Sequence, residues 1–366
     1  MAVSPEKLKE MLHDKDELAL LDVREQGVFA KEHQLLACCI PLSHLELRVC
    51  DLVPRLTTRM VLVDQGPSEK MRLAEKTAER LNAFGYSNVA ILEGGIEGWR
   101  TAGLELFSGV NVLSKAFGEF VETTYNTPRL SAEELKTKID MGQKLVILDS
   151  RPKEEYHRMS IPGGINSPGA ELVYRVADLA PPPETIVVVN CAGRTRSIIG
   201  AQSLINAGIP NPVAALKDGT MGWQLAGFGL EYGQDRHAPT PSAGGITKAR
   251  ACAARVAKRF CINKVKRDAL DAWAEETGRR TLYILDVRLP EEFQAGHLEG
   301  ARNAPGGQLV QATDEYVAVR NARLVLVDDN EVRATMTASW LIQMGWSDVH
   351  VLAGGIGDGP LVQGAH

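Results

Sequence analysis

The residues able to do chemistry in this chain sit in one stretch, Val187-Val188-Val189-Asn190-Cys191-Ala192-Gly193-Arg194-Thr195-Arg196-Ser197. Its β-branched run predicts a buried strand, and residues 198–207 read as a helix. A thiol is thereby placed at a strand's carboxyl end, beside a helix N-terminus, with two arginines close by. Free helix N–H groups and neighbouring cations stabilise negative charge, so this position favours thiolate over thiol. A cysteine packed as a small apolar side chain would leave a glycine and two arginines in the same loop without a reason.

The surroundings of this loop recur. Leu21-Asp22-Val23-Arg24 returns as Leu148-Asp149-Ser150-Arg151 and as Leu285-Asp286-Val287-Arg288, with the aspartates 127 and 137 residues apart. A glycine-rich segment closes each copy: Leu92-Glu93-Gly94-Gly95 with Trp99, Leu216-Lys217-Asp218-Gly219 with Trp223, and Leu352-Ala353-Gly354-Gly355 with Gly359 where a tryptophan is expected. A period this long means tandem domains. Each copy opens with a helix, capped by Ser4 in the first and Ser131 in the second; in the third it falls around residues 266–277. A strand ending at Asp-x-Arg follows, then an irregular stretch, a second strand (60–64, 186–190, 324–328), a helix and a last short strand. This alternation predicts an α/β domain with a mainly parallel sheet, in which ligands sit outside the carboxyl ends of strands.

The Asp-x-Arg strand, the loop from Cys191 to Arg196 and the glycine-rich segment ending in tryptophan resemble the rhodanese (sulfurtransferase) domain. The resemblance covers nearly the whole chain as three tandem domains: residues 1–105, a helical connector 106–128, 129–232, a linker and helical connector 233–264, and 265–366. It implies that Cys191 is the nucleophile and carries a persulfide, that Arg196 closes the loop and helps bind an anionic donor, and that Ala192, Gly193, Arg194 and Thr195 supply an amide cradle. Arg194 and Arg196 would offset charge on thiosulfate and departing sulfite. Ser197 stands where it caps the next helix or touches the ligand. The acceptor would be cyanide or a thiol, with no metal and no organic cofactor. Cysteine phosphatases use a loop one residue longer, so the spacing favours sulfur; a mercaptopyruvate-type enzyme remains the alternative, and Arg194 favours thiosulfate. A sulfur-relay or scaffold protein is the other reading.

Departures from the pattern are informative. The third copy keeps Gly296-His297, the second has Ser160 in the histidine's place and the first retains only His33, so the histidine is not expected in the chemistry. Counted from the strand, Gln65 and Asp329 occupy the cysteine's place in the outer copies, whose loops read as different lengths. These copies are expected to be silent, to support the active one and to offer a surface for a protein partner. Asp149 and Arg151 are expected to hold the fold, and Trp99 and Trp223 to pack domain ends.

The net charge of −5 carries no general nucleic-acid signature. Cys38, Cys39, Cys50, Cys252 and Cys261 read as core or surface thiols, and without a Cys-x-x-Cys there is no zinc motif. No signal peptide or membrane span is expected, and a reactive thiol suits a reduced cytoplasm. In the first connector, Leu113, Ala116, Phe117, Phe120 and Val121 predict one apolar helical face. The second begins loosely at residues 237–245 and continues as a basic helix in which Ala251, Ala254, Val256 and Phe260 separate Lys248, Arg250, Arg255, Lys258 and Arg259.

Overall fold

The computed structural model describes residues 1–67, 72–276, 278–357 and 359–364. Three sheets follow one another along the chain. The middle sheet runs Arg129–Leu130, Val213–Leu216, Ile186–Asn190, Leu145–Asp149, Ile165–Asn166, with every pairing parallel. The third repeats it with Asn263–Val265, Val349–Leu352, Arg323–Val327, Leu282–Asp286 and Arg302–Asn303. The first has Ala2–Val3, Val89–Leu92, Met60–Val63 and Leu18–Asp22, whose free edge is shared by two short strands. Cys38–Cys39 pairs parallel at one end, and Val319–Arg320, lent by the third copy, pairs antiparallel at the other. The fold is α/β, built three times. The third copy's opening helix is Arg267–Glu275; Thr277, its expected end, lies outside the described residues, as do Ala365 and His366.

The strands are apolar on both faces because both faces are covered. Ala19, Leu21, Met60 and Leu62 of the first sheet, Leu148, Val187 and Val189 of the second, and Leu285, Leu324 and Leu326 of the third all enter one continuous core. The alternate residues line three smaller outer clusters, such as Leu18, Leu20, Val61 and Val63 in the first copy and Ile147 and Val188 in the second. Two connector helices, Val112–Tyr125 and Ala243–Arg259, insert between the sheets and contribute Phe117, Val121, Ala249, Cys252, Ala253 and Val256 to the shared core. Burying a side chain of the size of Phe117 or Val121 contributes about 1.5–3 kcal/mol. The first connector's apolar face differs from the one expected: Ala116 and Phe120 are exposed. Gly118 takes a buried position instead, because it admits close contact; a β-carbon there would lie 2.8 Å from the Thr195 methyl.

The Asp-x-Arg pairs do the same structural work three times. Each arginine folds back on its own aspartate and donates onward to a carbonyl: Arg24 to Glu32, Arg151 to Met159 and Arg288 to Gly296. The histidine position forms an antiparallel bridge to a returning segment in every copy, His33 with Phe107, Ser160 with Glu231 and His297 with Val362. His33 and His297 also stack on Phe29 and Phe293. Trp99 and Trp223 donate to the carbonyls of Glu105 and Gly229.

Candidate active site

Cys191 follows the strand Ile186–Asn190 directly, and the helix Thr195–Ala207 begins four residues later. The turn between them is held from outside. The Cys191 carbonyl accepts the Thr220 N–H at 2.8 Å and its hydroxyl at 3.1 Å, and the Ala192 carbonyl accepts the Met221 N–H at 3.1 Å. In a trans peptide the C=O and the next N–H point in opposite directions, so the amides of Ala192 and Gly193 face into the turn. Gly219 makes this close approach possible, since a β-carbon there would lie 2.3 Å from the Cys191 oxygen. Asp218 adopts the left-handed conformation (φ +57°) that glycine holds in the other copies (Gly94, φ +70°; Gly354, φ +80°), so its side chain does not alter the turn.

The Cys191 side chain is buried, 1% exposed, with its S–H directed at Ser197 Oγ, 3.4 Å away. The Ser197 hydroxyl in turn donates to the Arg194 carbonyl at 2.9 Å. It does not cap the helix, whose N-cap position is Arg194 and carries no side-chain cap. Behind the strand, Asn190 Nδ2 donates to Asp149 Oδ2 at 2.9 Å and to Thr220 Oγ1 at 3.0 Å, linking the Asp-x-Arg pair to the turn.

The two arginines separate. Arg196 donates from both terminal nitrogens to the Glu155 carboxylate, each at 2.7 Å, using two of its five N–H groups. Burial works against the Arg196 charge, but Glu155, Cys191 and Asp149 outweigh it and hold the guanidinium more firmly protonated than usual. Burial pushes Glu155 up, and Arg196 overcomes this to hold its carboxyl below the ordinary range. Arg194 is half-exposed and turns to the first connector helix, meeting Glu122 at 2.7 and 2.9 Å and Glu119 at 2.6 Å. Thr195 packs on Gly118 of the same helix.

The outer copies correct the residue count made from the strand's end. Asp149 pairs in register with Asn190, Asp22 with Val63 and Asp286 with Val327. The residue after each partner holds the cysteine's place, so it is Asp64 and Asp328, not Gln65 and Asp329. The second and third loops then have equal length, and Arg333 corresponds to Arg196 at the same five-residue spacing. Asp328 shows what such a turn collects. Its carboxylate accepts the N–H groups of Asn330 (3.2 Å), Glu331 (2.5 Å), Arg333 (2.8 Å) and Ala334 (3.2 Å). The matching positions after Cys191 are Gly193, Arg194, Arg196 and Ser197. Asp64 likewise accepts from Gly66 and Ala74, each at 3.0 Å. Among the described residues, both outer turns direct amides at the chain's own carboxylate.

Sequence reasoning missed Glu155, Asn190 and Thr220. Glu155 had a signal, because Glu292 recurs at the same place and pairs with Arg333. Asn190 and Thr220 had one too: the outer copies hold Val63 with Ile96 and Val327 with Ile356 there, so only the cysteine copy is polar behind its strand.

A family model described as "Rhodanese-like domain" matches residues 4–102, 131–226 and 267–358. The chain is similar over its whole length to a solved thiosulfate sulfurtransferase from Pseudomonas aeruginosa, with 52% identity, a TM-score of 0.93 and 68% of that chain covered. Among curated proteins it is 39% identical over 79 residues to the uncharacterized protein YqhL of Bacillus subtilis (strain 168), and 33% identical over 104 residues to the HTH-type transcriptional regulator Rv0324 of Mycobacterium tuberculosis. Those segments are 21% and 28% of this chain, and they span about half the length of the relatives, 60% and 45%. With three matched domains covering most of its length, the chain belongs to the rhodanese-like domain family.

Proposed function

We propose that this protein is a thiosulfate sulfurtransferase acting through a persulfide on Cys191. The carrying observation is the turn itself, where a sulfur nucleophile replaces the carboxylate that the same turn binds in the third copy. The positions matching the four amides that hold the Asp328 carboxylate are Gly193, Arg194, Arg196 and Ser197, and this correspondence supports their holding an anionic sulfur on Cys191. The thiolate is the attacking species. It attacks the outer sulfur of thiosulfate; the sulfur–sulfur bond of the donor breaks, and sulfite leaves with its electron pair. A thiolate or cyanide then attacks the persulfide's outer sulfur, and the pair of the broken bond returns to Cys191. Arg196, fixed by Glu155, faces the charge that grows on the departing sulfite. The similarity over the whole chain to a thiosulfate sulfurtransferase supports this donor.

The test is mass spectrometry of the protein after incubation with thiosulfate. The Cys191 peptide gains one sulfur atom, removable by reductant, and Cys191→Ser abolishes both the adduct and sulfite release. Sulfite release by the serine variant at the native rate overturns the assignment.

A further inference from the structure

Between Asp149 and Gly208 of the second copy, the equivalent residues of the third lie 137 positions on without a gap: Asp149 and Asp286, Glu155 and Glu292, Cys191 and Asp328, Arg196 and Arg333, Ser203 and Trp340. The two copies also face each other across matched surfaces. Trp340 donates to its own counterpart Ser203 at 2.8 Å. Gly307 meets Gly169, and Gly306 meets Ala170, which are one contact and its mirror image. A residue on one side of this pseudo-twofold interface therefore indicates what its counterpart meets on the other side.

Arg333 shows the contact in full. It is completely buried, and besides Glu292 and Asp329 it crosses the interface to Glu171 of the second copy at 2.8 Å, lying over the Tyr174 ring. The mirror image of that pair is Arg196 with Gln308 of the third copy. Here the chain has changed a carboxylate for a carboxamide. None of the hydrogen bonds among the described residues uses the Gln308 side chain. Gln308 lies in the wall of a cavity of about 510 Å³ between the two copies, within the usual range of small-molecule sites. A narrow cleft lined by Arg196 and Thr195 shares Ala170, Gly306 and Gly307 with that cavity.

We propose that Gln308, from the silent third copy, completes the donor site of the second, its carboxamide N–H donating to the oxygens of thiosulfate beside Arg196. This rests on the sulfurtransferase reading and names the residue that tunes it. Glu171 adds a further carboxylate to Arg333, beside Glu292 and Asp329. A carboxylate at 308 would likewise add a second one to Arg196, already paired with Glu155, and would repel a dianion, whereas a carboxamide leaves the guanidinium's remaining N–H groups to the ligand. The third copy would then be silent in chemistry yet part of the active site.

Gln308→Glu tests this, since the fold already accepts glutamate at the mirror position. The expected result is a rise of about 100-fold in KM for thiosulfate with kcat within threefold, diminishing as pH falls and the new carboxylate protonates. Gln308→Ala is expected to raise KM only about fivefold, with no such pH dependence. A second readout needs no turnover: sulfate protects Cys191 from iodoacetamide in the native protein, and the protection is lost in Gln308→Glu. Equal effects of the two variants, or a KM within threefold of native in Gln308→Glu, overturn the proposal. Absent sulfite release by the native protein would remove the donor assignment alone, because sulfate protection still reports on Gln308; sulfate protection unchanged in Gln308→Glu removes Gln308.

Discussion

Replacing Arg194 with alanine, alone and with Glu122→Gln, distinguishes a loop tether from a donor ligand. The guanidinium is held at 2.6–2.9 Å by Glu119 and Glu122 of the first connector helix. Glu122 is itself nearly buried and also pairs with Arg129. The arginine side chain is 44% exposed, so solvent screening limits the pair to about 1 kcal/mol. A tether of that size, felt in the transition state through the Arg194 main chain in the cradle, corresponds to about fivefold in kcat/KM. Arg194→Ala and Glu122→Gln should each show that loss, mainly in kcat, and the double variant should lose no more than either, giving a coupling energy of about 1 kcal/mol. A direct ligand to the thiosulfate dianion would behave differently. A charged hydrogen bond of about 1.5–3 kcal/mol would raise KM roughly 10- to 150-fold in Arg194→Ala alone, and Glu122→Gln, which frees the guanidinium, would lower KM. Initial rates of sulfite release across a thiosulfate series measure both. A KM rise above about 30-fold confined to the arginine variant would refute the tether.

Two further outcomes are expected. Asn190→Val installs the residue that the silent copies carry and removes the donor to Thr220 Oγ1; far-UV circular dichroism should be unchanged while kcat falls about tenfold, the weight of one buried hydrogen bond or slightly more, and a native kcat would remove Asn190 from the positioning of the turn. Asp314 sits at the seam of the first and third copies, where burial and Glu315 push its carboxyl up to about 6 from an ordinary 3.8. A raised native value means that the fold prefers the protonated form, so the associated stability is full below about pH 4 and lost as pH rises through 6. Asp314→Asn should therefore raise the melting temperature at pH 7.5, by an amount equivalent to about 1–3 kcal/mol, and leave it unchanged at pH 4; a stabilisation equal at both pH values would contradict the assignment.

The tandem organisation, the α/β class and the cysteine turn were legible because each rests on local pattern: a β-branched run, glycines at fixed spacing and a recurring Asp-x-Arg. The register of the outer copies was misjudged. Counting from a strand's end is blind to a one-residue difference in strand content; hydrogen-bond pairing between strands identifies Asp64 and Asp328 as the counterparts of Cys191, and the spacings of 127 and 137 between the Asp-x-Arg aspartates lead to the same two residues. Phe120 was expected inside because it shares an apolar spacing with Phe117, yet it is 56% exposed. The helix rotates so that Gly118 lies against Thr195, a contact whose cause is a partner 77 residues away. The two arginines of the loop looked alike in sequence; what separates them is the placement of Glu155 and Glu122, one on each side of the turn.

The outer copies make sense as parts of one machine rather than as relics beside it. The inner faces of all three sheets share a single core through both connector helices, and the third copy lends Val319–Arg320 to the first sheet. The middle domain's inner face, with Leu148, Val187 and Val189, is thus covered by its neighbours. Its turn is braced by Glu119, Glu122 and Gly118 of the first connector on one side, and on the other Thr195 and Arg196 share a cleft with the third copy's Gly306 and Gly307. A turn that must hold several amides on one sulfur gains rigidity from such supports, because each removes a freedom that the loop would otherwise spend on reorganising around charge. In the outer copies Asp64 and Asp328 stand in the cysteine's place and satisfy turn amides internally. A carboxylate at that position repels an anionic donor, so these described turns do not compete with Cys191 for it.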